Sequence, residues 1–415
     1  MNATLHHGVI QRLLADFGFK EKGTWLQQGM CPICGKKELF THADQPWVIR
    51  CGRANKCGWE SHVKELYSDL FENWSQRFPA AEASPHASAD AYMQFARGFD
   101  LARVRGWYTQ ESYHDARLNA GSATVRFALP NTYWERLIDR PERFGKQKAR
   151  FQPGGSYAGT WWKPPTLSLS SSHEIWLVEG IFDAIALDYH GIAAVALLSC
   201  NNYPEQALAD LLASSNPRPR LVWALDGDSA GRTYTKKWVR KAREAGWQCD
   251  AVQIPQPSKS KLDWNDMHQR GRLTATDLEQ YRYHGALLIA ETAIDKAMLI
   301  YQQYGSREFP FDHGQRLYWF KLDLERFDKA HKIAEQQSDL SEKERRDYAL
   351  NEAGTISAIA NCLPTALYYQ ANALTDESWY YFRIESPHDH QPIKNTFTGG
   401  QLASASEFKK RLLAV

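Results

Sequence analysis

The residues with the plainest chemistry are acidic and stand at the ends of apolar runs. EIWLVEG, residues 174–180, closes on Glu179, and Asp183 follows four positions later, one helical turn on, so that both carboxylates can point the same way. A second apolar run, RLVWALDGD, closes on Asp226 and Asp228 with Gly227 between them, and KLDWNDMH adds Asp263 and Asp266. Carboxylates gathered in one place repel each other unless a cation neutralises them. Oxygen donors with no cysteine or histidine beside them favour Mg²⁺ or Mn²⁺. Directly after the acid pair, residues 229–243 carry six basic side chains and no acidic one. Arg232, Lys236, Arg240 and Arg243 recur there at helical spacing, with Lys237 and Lys241 beside them. Such a face can hold a polynucleotide backbone or a triphosphate next to a metal site.

Cysteine supplies the second constellation. CPICG carries Cys31 and Cys34, and CGRANKCGW carries Cys51 and Cys57. A C-x2-C pair followed by a second pair after a loop of zinc-ribbon length can place four thiolates tetrahedrally around one structural Zn²⁺. A module this small could hardly bury enough apolar surface to fold without such a staple. His42 and His62 are alternative ligands. Around the cysteines, Lys36, Lys37, Arg50, Arg53 and Lys56 interleave with Phe40, Trp47 and Trp59, which suits single-stranded nucleic acid through phosphate contact and base stacking. The other three cysteines, Cys200, Cys249 and Cys362, are scattered and read as small buried hydrophobes.

The elements that must position these residues follow from the apolar pattern. Between residues 174 and 254, unalternated apolar runs such as IAAVALL and WQCDAVQI interleave with helical segments. Strands of that kind are buried on both faces, so the expected class is α/β with a parallel sheet flanked by helices. The carboxyl ends of such strands form the functional edge, where Glu179 and the Asp226/Asp228 pair can converge. Upstream, MNATLHHGVIQRLLADFGF has the spacing of an amphipathic helix with Val9, Ile10, Leu13, Leu14 and Phe17 on one side. Residues 79–90, PAAEASPHASAD, read as a flexible linker, residues 164–173 as a second seam and residues 255–261 as an exposed loop. A chain of 415 residues accommodates several such domains. Its net charge of +2 makes local patches, not overall charge, the basis for any nucleic-acid contact. With no apolar run long enough for a bilayer and no secretory pattern, the expected location is the cytoplasm.

Glu179, then Asp226-Gly227-Asp228, then the downstream acidic loop, in this order at successive strand ends, resembles the Toprim domain of DnaG-type primases, topoisomerases and some nucleases. With the zinc ribbon ahead of it, residues 25–285 resemble a bacterial or phage-type DNA primase. The resemblance implies Glu179, Asp226 and Asp228 as principal ligands of catalytic Mg²⁺ or Mn²⁺, with Asp183, Asp263 and Asp266 as further acids. The sequence reads LDWND where primases show a Lys-Asp pair followed by another acid. The resemblance also implies a basic subdomain that guides template; its match here holds Arg143, Lys146, Lys148, Arg150, Trp161 and Lys163. The expected organisation is a helix and zinc ribbon (1–78), the linker (79–90), a basic α+β subdomain (91–170), the Toprim sheet (171–285) and a mixed helical and β region (286–415). The expected activity is Mg²⁺-dependent synthesis of short primers from nucleoside triphosphates on single-stranded DNA, with the zinc module tethered to engage template and a replicative helicase in cis or trans. A Toprim nuclease and a non-catalytic single-strand-binding component of a replication or defence complex are the alternatives. Toward the carboxyl end, ALLIAETAIDKAMLIYQQYG reads as one amphipathic helix, residues 317–360 as a charged helical stretch, and TALYYQANALTDESWYYFRIE as two strands around a turn. The end resembles the segment leading into the helicase part of primase–helicase fusions from mobile elements, so the chain reads as part of such a fusion or as a short form with a separate helicase.

Overall fold

The structure is a computed structural model that describes residues 3–145, 147–214, 217–256, 261–336, 339–372, 374–375, 377–388 and 391–413. Contacts divide the chain into two compact units, Met1–Leu288 and Ile289–Val415.

The first unit opens with the helix Ala3–Phe17, whose Leu5, Val9 and Leu13 are buried at helical spacing. Five antiparallel strands follow in sequential order: β1 (Lys20–Lys22), β2 (Trp25–Met30), β3 (Lys37–His42), β4 (Val48–Cys51) and β5 (Glu60–His62). The flexible linker expected at 79–90 takes a different form. Its second half is folded into the helix Ala87–Ala91, with Ser88 and Ala89 fully buried. Ser88 Oγ donates to Phe78 O at 2.8 Å, Ala89 N to Gln110 Oε1 at 2.8 Å, and Tyr108 Oη to Asp90 Oδ1 at 2.6 Å. The alanines and serines that read as a linker are small because this helix lies close against a sheet. The helix runs on into a π-helical turn, Tyr92–Ala96; such turns recur at functional sites because they re-aim side chains.

That sheet is antiparallel, in the order β6 (Thr109–Asp115), β7 (Ala120–Leu129), β8 (Thr132–Leu137), β9 (Ala149–Phe151). The parallel sheet follows: β10 (Glu174–Val178), β11 (Ala194–Ala196), β12 (Arg220–Trp223) and β13 (Cys249–Ala251), in the order β11-β10-β12-β13. Its strands are buried almost throughout, as their unalternated sequences require. The connection from β10 leads to one side and the next crosses back to the other, so the switch point falls between β10 and β12, at whose carboxyl ends ligands of open α/β sheets bind. Three helices, Ile181–Tyr189, Glu205–Ser214 and Ser229–Glu244, flank the sheet. Trp162 exchanges backbone hydrogen bonds with Ala196 and covers the edge at β11. Phe182 packs edge-on against Phe127 and Trp134, which joins the two sheets through one aromatic cluster.

The single helix expected from residue 286 is two. The helix Ala275–Ile289 ends, and Thr292 starts a new one, Ala293–Tyr304, through a reciprocal capping box with Asp295. The charged stretch 317–360 holds two helices, Leu324–Glu335 and Glu342–Ala353, between strands β15 (Arg316–Leu322) and β16 (Gly354–Ala360), and β14 (Glu308–His313) completes that sheet. The expected strand pair is present as β17 (Leu363–Ala371) and β18 (Ser378–Glu385), joined by β19 (Ile393–Thr398). No helix among the described residues is long and apolar enough to cross a membrane.

Candidate functional site

Glu179 follows β10 directly and Asp226 lies just beyond β12, one on each side of the switch point. The two meet: Asp226 N donates to Glu179 Oε1 at 3.1 Å. Asp228 caps the helix Ser229–Glu244, its Oδ1 accepting from Gly231 N at 2.8 Å. Gly231 is required here, since a Cβ would lie 2.0 Å from Asp226 O; at Gly227 one would lie 2.6 Å from Ile254 O. Asp183, in the first turn of Ile181–Tyr189, is 6% exposed, and its Oδ1 accepts from Asn265 N at 3.0 Å. That bond carries the site to a third element, the short helix Trp264–Gln269, whose cap is Asp263 and whose capping-box partner is Asp266. Trp264 fixes this helix over β12 by donating to Ala224 O at 2.7 Å.

The carboxylates are short of positive charge. Burial, then the nearby Asp226 charge, pushes Glu179 up to about 7. Burial, then Asp266, pushes Asp263 up to about 6. Burial followed by Asp263 and Asp226 drives Asp183 well above the carboxylate range. Asp226 is also raised, burial outweighing its cationic neighbour. For Asp228 burial acts upward, but the Gly231 N–H and Lys261 prevail and hold it low. Lys261 places its ammonium 2.6 Å from Asp228 Oδ2 and 3.3 Å from Asp226 Oδ2, where a cation is called for.

Positive charge also approaches from the neighbouring antiparallel subdomain. The π-helical turn leads into Arg97, whose Nε and Nη2 donate to Tyr92 Oη at 3.0 and 2.7 Å and whose Nη1 donates to Asn265 Oδ1 at 3.2 Å. The guanidinium stands 4.1 Å from the Phe182 ring centre. Arg136 on β8 joins it, and its buried Nε has no partner among the described residues. Burial acts to raise the Tyr92 phenol, yet Arg97 and Arg136 bring it below its ordinary value, which marks a local positive potential. The charges of Asp263 and Asp266 act on Arg97, and that of Asp263 on Arg136. A buried guanidinium nitrogen without an acceptor, facing raised carboxyls, suits a ligand that brings both divalent cation and phosphate.

The cations singled out in the sequence are placed otherwise. Arg143 donates to Gly121 O and Asp139 O, Lys163 to Leu167 O, and Arg150 pairs with Glu135 while covering the Tyr113 ring. These contacts brace their own subdomain. Lys148 is exposed, Trp161 is half-buried, and Lys146 lies outside the described residues. On the helix Ser229–Glu244, Arg232 reaches the acid loop and donates to Gly227 O at 3.0 Å. Lys236 and Arg240 are exposed further along, and Arg240 pairs with Glu244. Sequence reading passed over Arg97 and Arg136. The available signal was a lone arginine in the apolar run MQFARGF, and an arginine opposite Glu135 across the strand alternation of TYWERL.

The four thiols of Cys31, Cys34, Cys51 and Cys57 lie within 4.8 Å of one another and are the metal-type group among the described residues. Cys31 Sγ to Cys57 Sγ is 3.8 Å and Cys34 Sγ to Cys51 Sγ is 3.9 Å. A zinc tetrahedron with Zn–S of about 2.3 Å has edges of about 3.8 Å, so the residues fit the ion. The Lys36 N–H holds Cys34 down to about 7. At Cys51 the Arg53 N–H acts downward, but burial and the neighbouring sulfurs prevail and push the thiol up to about 12. Four thiolates therefore need a cation. His42 and His62 stand apart from the cluster: His42 packs against Trp25, and His62 Nδ1 caps the helix Val63–Leu66. Cys249 and Cys362 are buried and Cys200 is half-buried, their thiols raised chiefly by burial.

The zinc module is clasped to the acid-bearing helix. Arg270 Nη1 meets Glu60 Oε1 at 3.0 Å and its Nη2 meets Glu65 Oε1 at 2.7 Å, while Arg50 donates to Arg270 O. Lys64 Nζ lies 3.3 Å from Asp266 Oδ1 and 3.2 Å from Gln269 Oε1. The tethered module expected from the sequence is instead docked here, because residues flanking its second cysteine pair complement the charges on Trp264–Gln269 and the turn after it.

With this geometry in hand, residues 176–268 match a family model described as Toprim-like. This segment, with its parallel sheet and acids at the strand ends, is a Toprim domain. No curated protein matches the chain. Among solved structures it is similar to the RNA polymerase domain of Mycobacterium tuberculosis primase DnaG, with 17% identity, 59% of this chain and 91% of that one covered, and a TM-score of 0.33. It is similar to the zinc-binding and RNA polymerase domains of the Aquifex aeolicus primase, with 13% identity, coverage of 73% and 96%, and a TM-score of 0.31. It is also similar to the primase fragment of the bacteriophage T7 primase-helicase protein, with 13% identity, coverage of 62% and 99%, and a TM-score of 0.29.

Proposed function

We propose that the chain is a DNA primase that joins nucleoside triphosphates into short primers on single-stranded DNA. The observation that carries this reading is the meeting of Glu179 with the Asp226 backbone, beside an Asp226/Asp228 pair bridged by Lys261 and opposite Arg97 and Arg136. Divalent cations would be held by Glu179, Asp226 and Asp228, supported by Asp183, Asp263 and Asp266. They supply Lewis acidity that favours deprotonation of the attacking 3′-hydroxyl and offsets charge on the triphosphate.

The chain's own residues do the rest. Arg136 offers its unpartnered Nε, and Arg97 a guanidinium oriented by Tyr92 and Asn265, to phosphate oxygens. Lys261, which bridges the two aspartates, would be released to meet the triphosphate where cations took its place on them. The helix Trp264–Gln269 keeps Asp263 and Asp266 in register with Asp183 through the Asn265 N–H. The four cysteines would hold zinc between the β2–β3 and β4–β5 connections, and so brace the Glu60, Lys64 and Glu65 clasp on that helix. The partners on this reading are single-stranded DNA template, nucleoside triphosphates and a replicative helicase in cis or trans.

The test is incubation of the protein with single-stranded DNA, Mg²⁺ and labelled nucleoside triphosphates. New short oligomers should form with the unaltered protein and be absent with the double variant D226N/D228N, whose zinc content stays intact. Full synthesis by that variant, or Mg²⁺-dependent cutting of DNA without nucleotides, contradicts the proposal.

A further inference from the structure

A cavity of about 480 Å³ lies at the other end of the Trp264–Gln269 helix, where three parts of the first unit meet. The zinc module contributes Gln45, Trp47 and His62, the segment after the π-helical turn contributes Gly98 to Asp100, and the Toprim domain contributes Tyr189, His268 and Gln269. Its walls are aromatic. Phe99 stacks on His268 at 5.5 Å, Tyr189 meets His268 edge-on at 5.0 Å, and Trp47 lies 6.4 Å from Phe95.

Some of the hydrogen-bonding groups that line the same space have no partner among the described residues. His62 is 3% exposed, and its Nδ1 accepts from Lys64 N at 3.1 Å. Its ring is neutral, since burial, then Lys64 and Arg270, hold it well below the usual histidine value. The proton therefore sits on Nε2, a donor for which the described residues supply no acceptor. The amides of Gln45 and Gln94 are exposed and have no partner among the described residues either. Among the described residues no lysine or arginine lines the cavity and Asp100 does, so its chemistry is wrong for a phosphate. Aromatic faces with amide and imidazole groups at their margins suit a neutral, planar, hydrogen-bonding ring.

We propose that this cavity takes one unstacked nucleobase, held between the aromatic side chains and read by His62 Nε2 and the Gln45 and Gln94 amides. The six-residue helix Trp264–Gln269 is about 9 Å long, so one nucleic-acid strand can engage both the cavity and the acids at the opposite helix end. The inference rests on the proposed function only in taking a nucleic acid or nucleotide as the ligand. It also gives the docked zinc module a role, since without docking the cavity lacks one wall.

Two sources of the base are separated by experiment. Binding of single-stranded 12-mers is measured without Mg²⁺ or nucleotides while one abasic residue is walked along the strand. In parallel, labelled nucleosides are tested by equilibrium dialysis. A template base predicts one position at which base removal weakens binding about tenfold, in keeping with the worth of a stacked base. A base of a free nucleotide predicts a flat scan with saturable nucleoside binding. In either case Q94W, which fills the cavity from an exposed position, should abolish the effect while zinc content and melting temperature are retained. A flat scan together with no nucleoside binding overturns the proposal, as does either effect persisting in Q94W. Loss of primer synthesis with the base effect intact would count against the polymerase reading alone.

Discussion

Replacing Glu179 by Gln should make the Mg²⁺-free protein more stable at alkaline pH. In the folded chain burial and the Asp226 charge lift this carboxyl from an ordinary 4.5 to about 7. The folded state therefore holds the proton more tightly than the unfolded chain does. Stability from this group is complete below pH 4.5 and is lost as pH rises through 7, the sign that linkage requires for a raised acid. At about 1.4 kcal/mol per pH unit, the interval sets a cost of at most about 3.5 kcal/mol above pH 7. Glutamine keeps the acceptor for the Asp226 N–H and carries no charge, so E179Q escapes that cost. Calorimetric melting at pH 8, in buffer freed of divalent ions by resin and not by chelators that would strip zinc, should show E179Q melting roughly 5 °C above its parent. Near pH 4.5 the two should melt together. Added Mg²⁺ should raise the parent, by preferential binding to the folded state, more than it raises the variant. An E179Q protein less stable than its parent at pH 8, or with the same pH slope, would refute the crowded-carboxylate explanation.

Three further outcomes follow from the same contacts. R270M removes a side chain 8% exposed that holds Glu60 and the partly exposed Glu65; since Arg50 and Arg272 still pair with Glu60, the loss should cost about 1.5–3 kcal/mol, read as a lower melting temperature with zinc content unchanged, and an unshifted melt would contradict the docked module. K261M deletes the ammonium bridging Asp226 and Asp228 and should tighten Mn²⁺ binding several-fold in a titration followed by electron paramagnetic resonance, whereas weaker binding would show that Lys261 does not compete with the ion. C51A breaks the four-sulfur set and should release zinc, detected with a chromogenic chelator, and render residues around the helix Val63–Leu66 sensitive to protease; retained zinc would count against the tetrahedral site.

The carboxylates were legible because their chemistry and the parallel-sheet pattern coincide: an acid closing an unalternated apolar run can only lie at a strand's carboxyl end, and β10 and β12 are neighbours. The cysteine set was legible from spacing alone. The docking of the zinc module was not, because Arg270 and Glu60 are 210 positions apart and each reads as an ordinary surface charge. Residues 86–90 misled for a related reason: small residues mark both mobile chain and a helix packed tightly on a sheet, and only the partners Gln110 and Tyr108 distinguish them. The basic residues taken from charge density, Arg143, Arg150 and Lys163, brace their own subdomain. The two arginines beside the acids were hidden in apolar and alternating runs, where a single cation carries no visible period.

The most direct measurement is anomalous scattering from a crystal of the protein soaked in Mn²⁺. An anomalous peak within coordination distance of Glu179 and Asp226, with Lys261 drawn off Asp228, is the predicted result. A peak only at distant surface acids, with the Lys261 bridge unbroken, would contradict it.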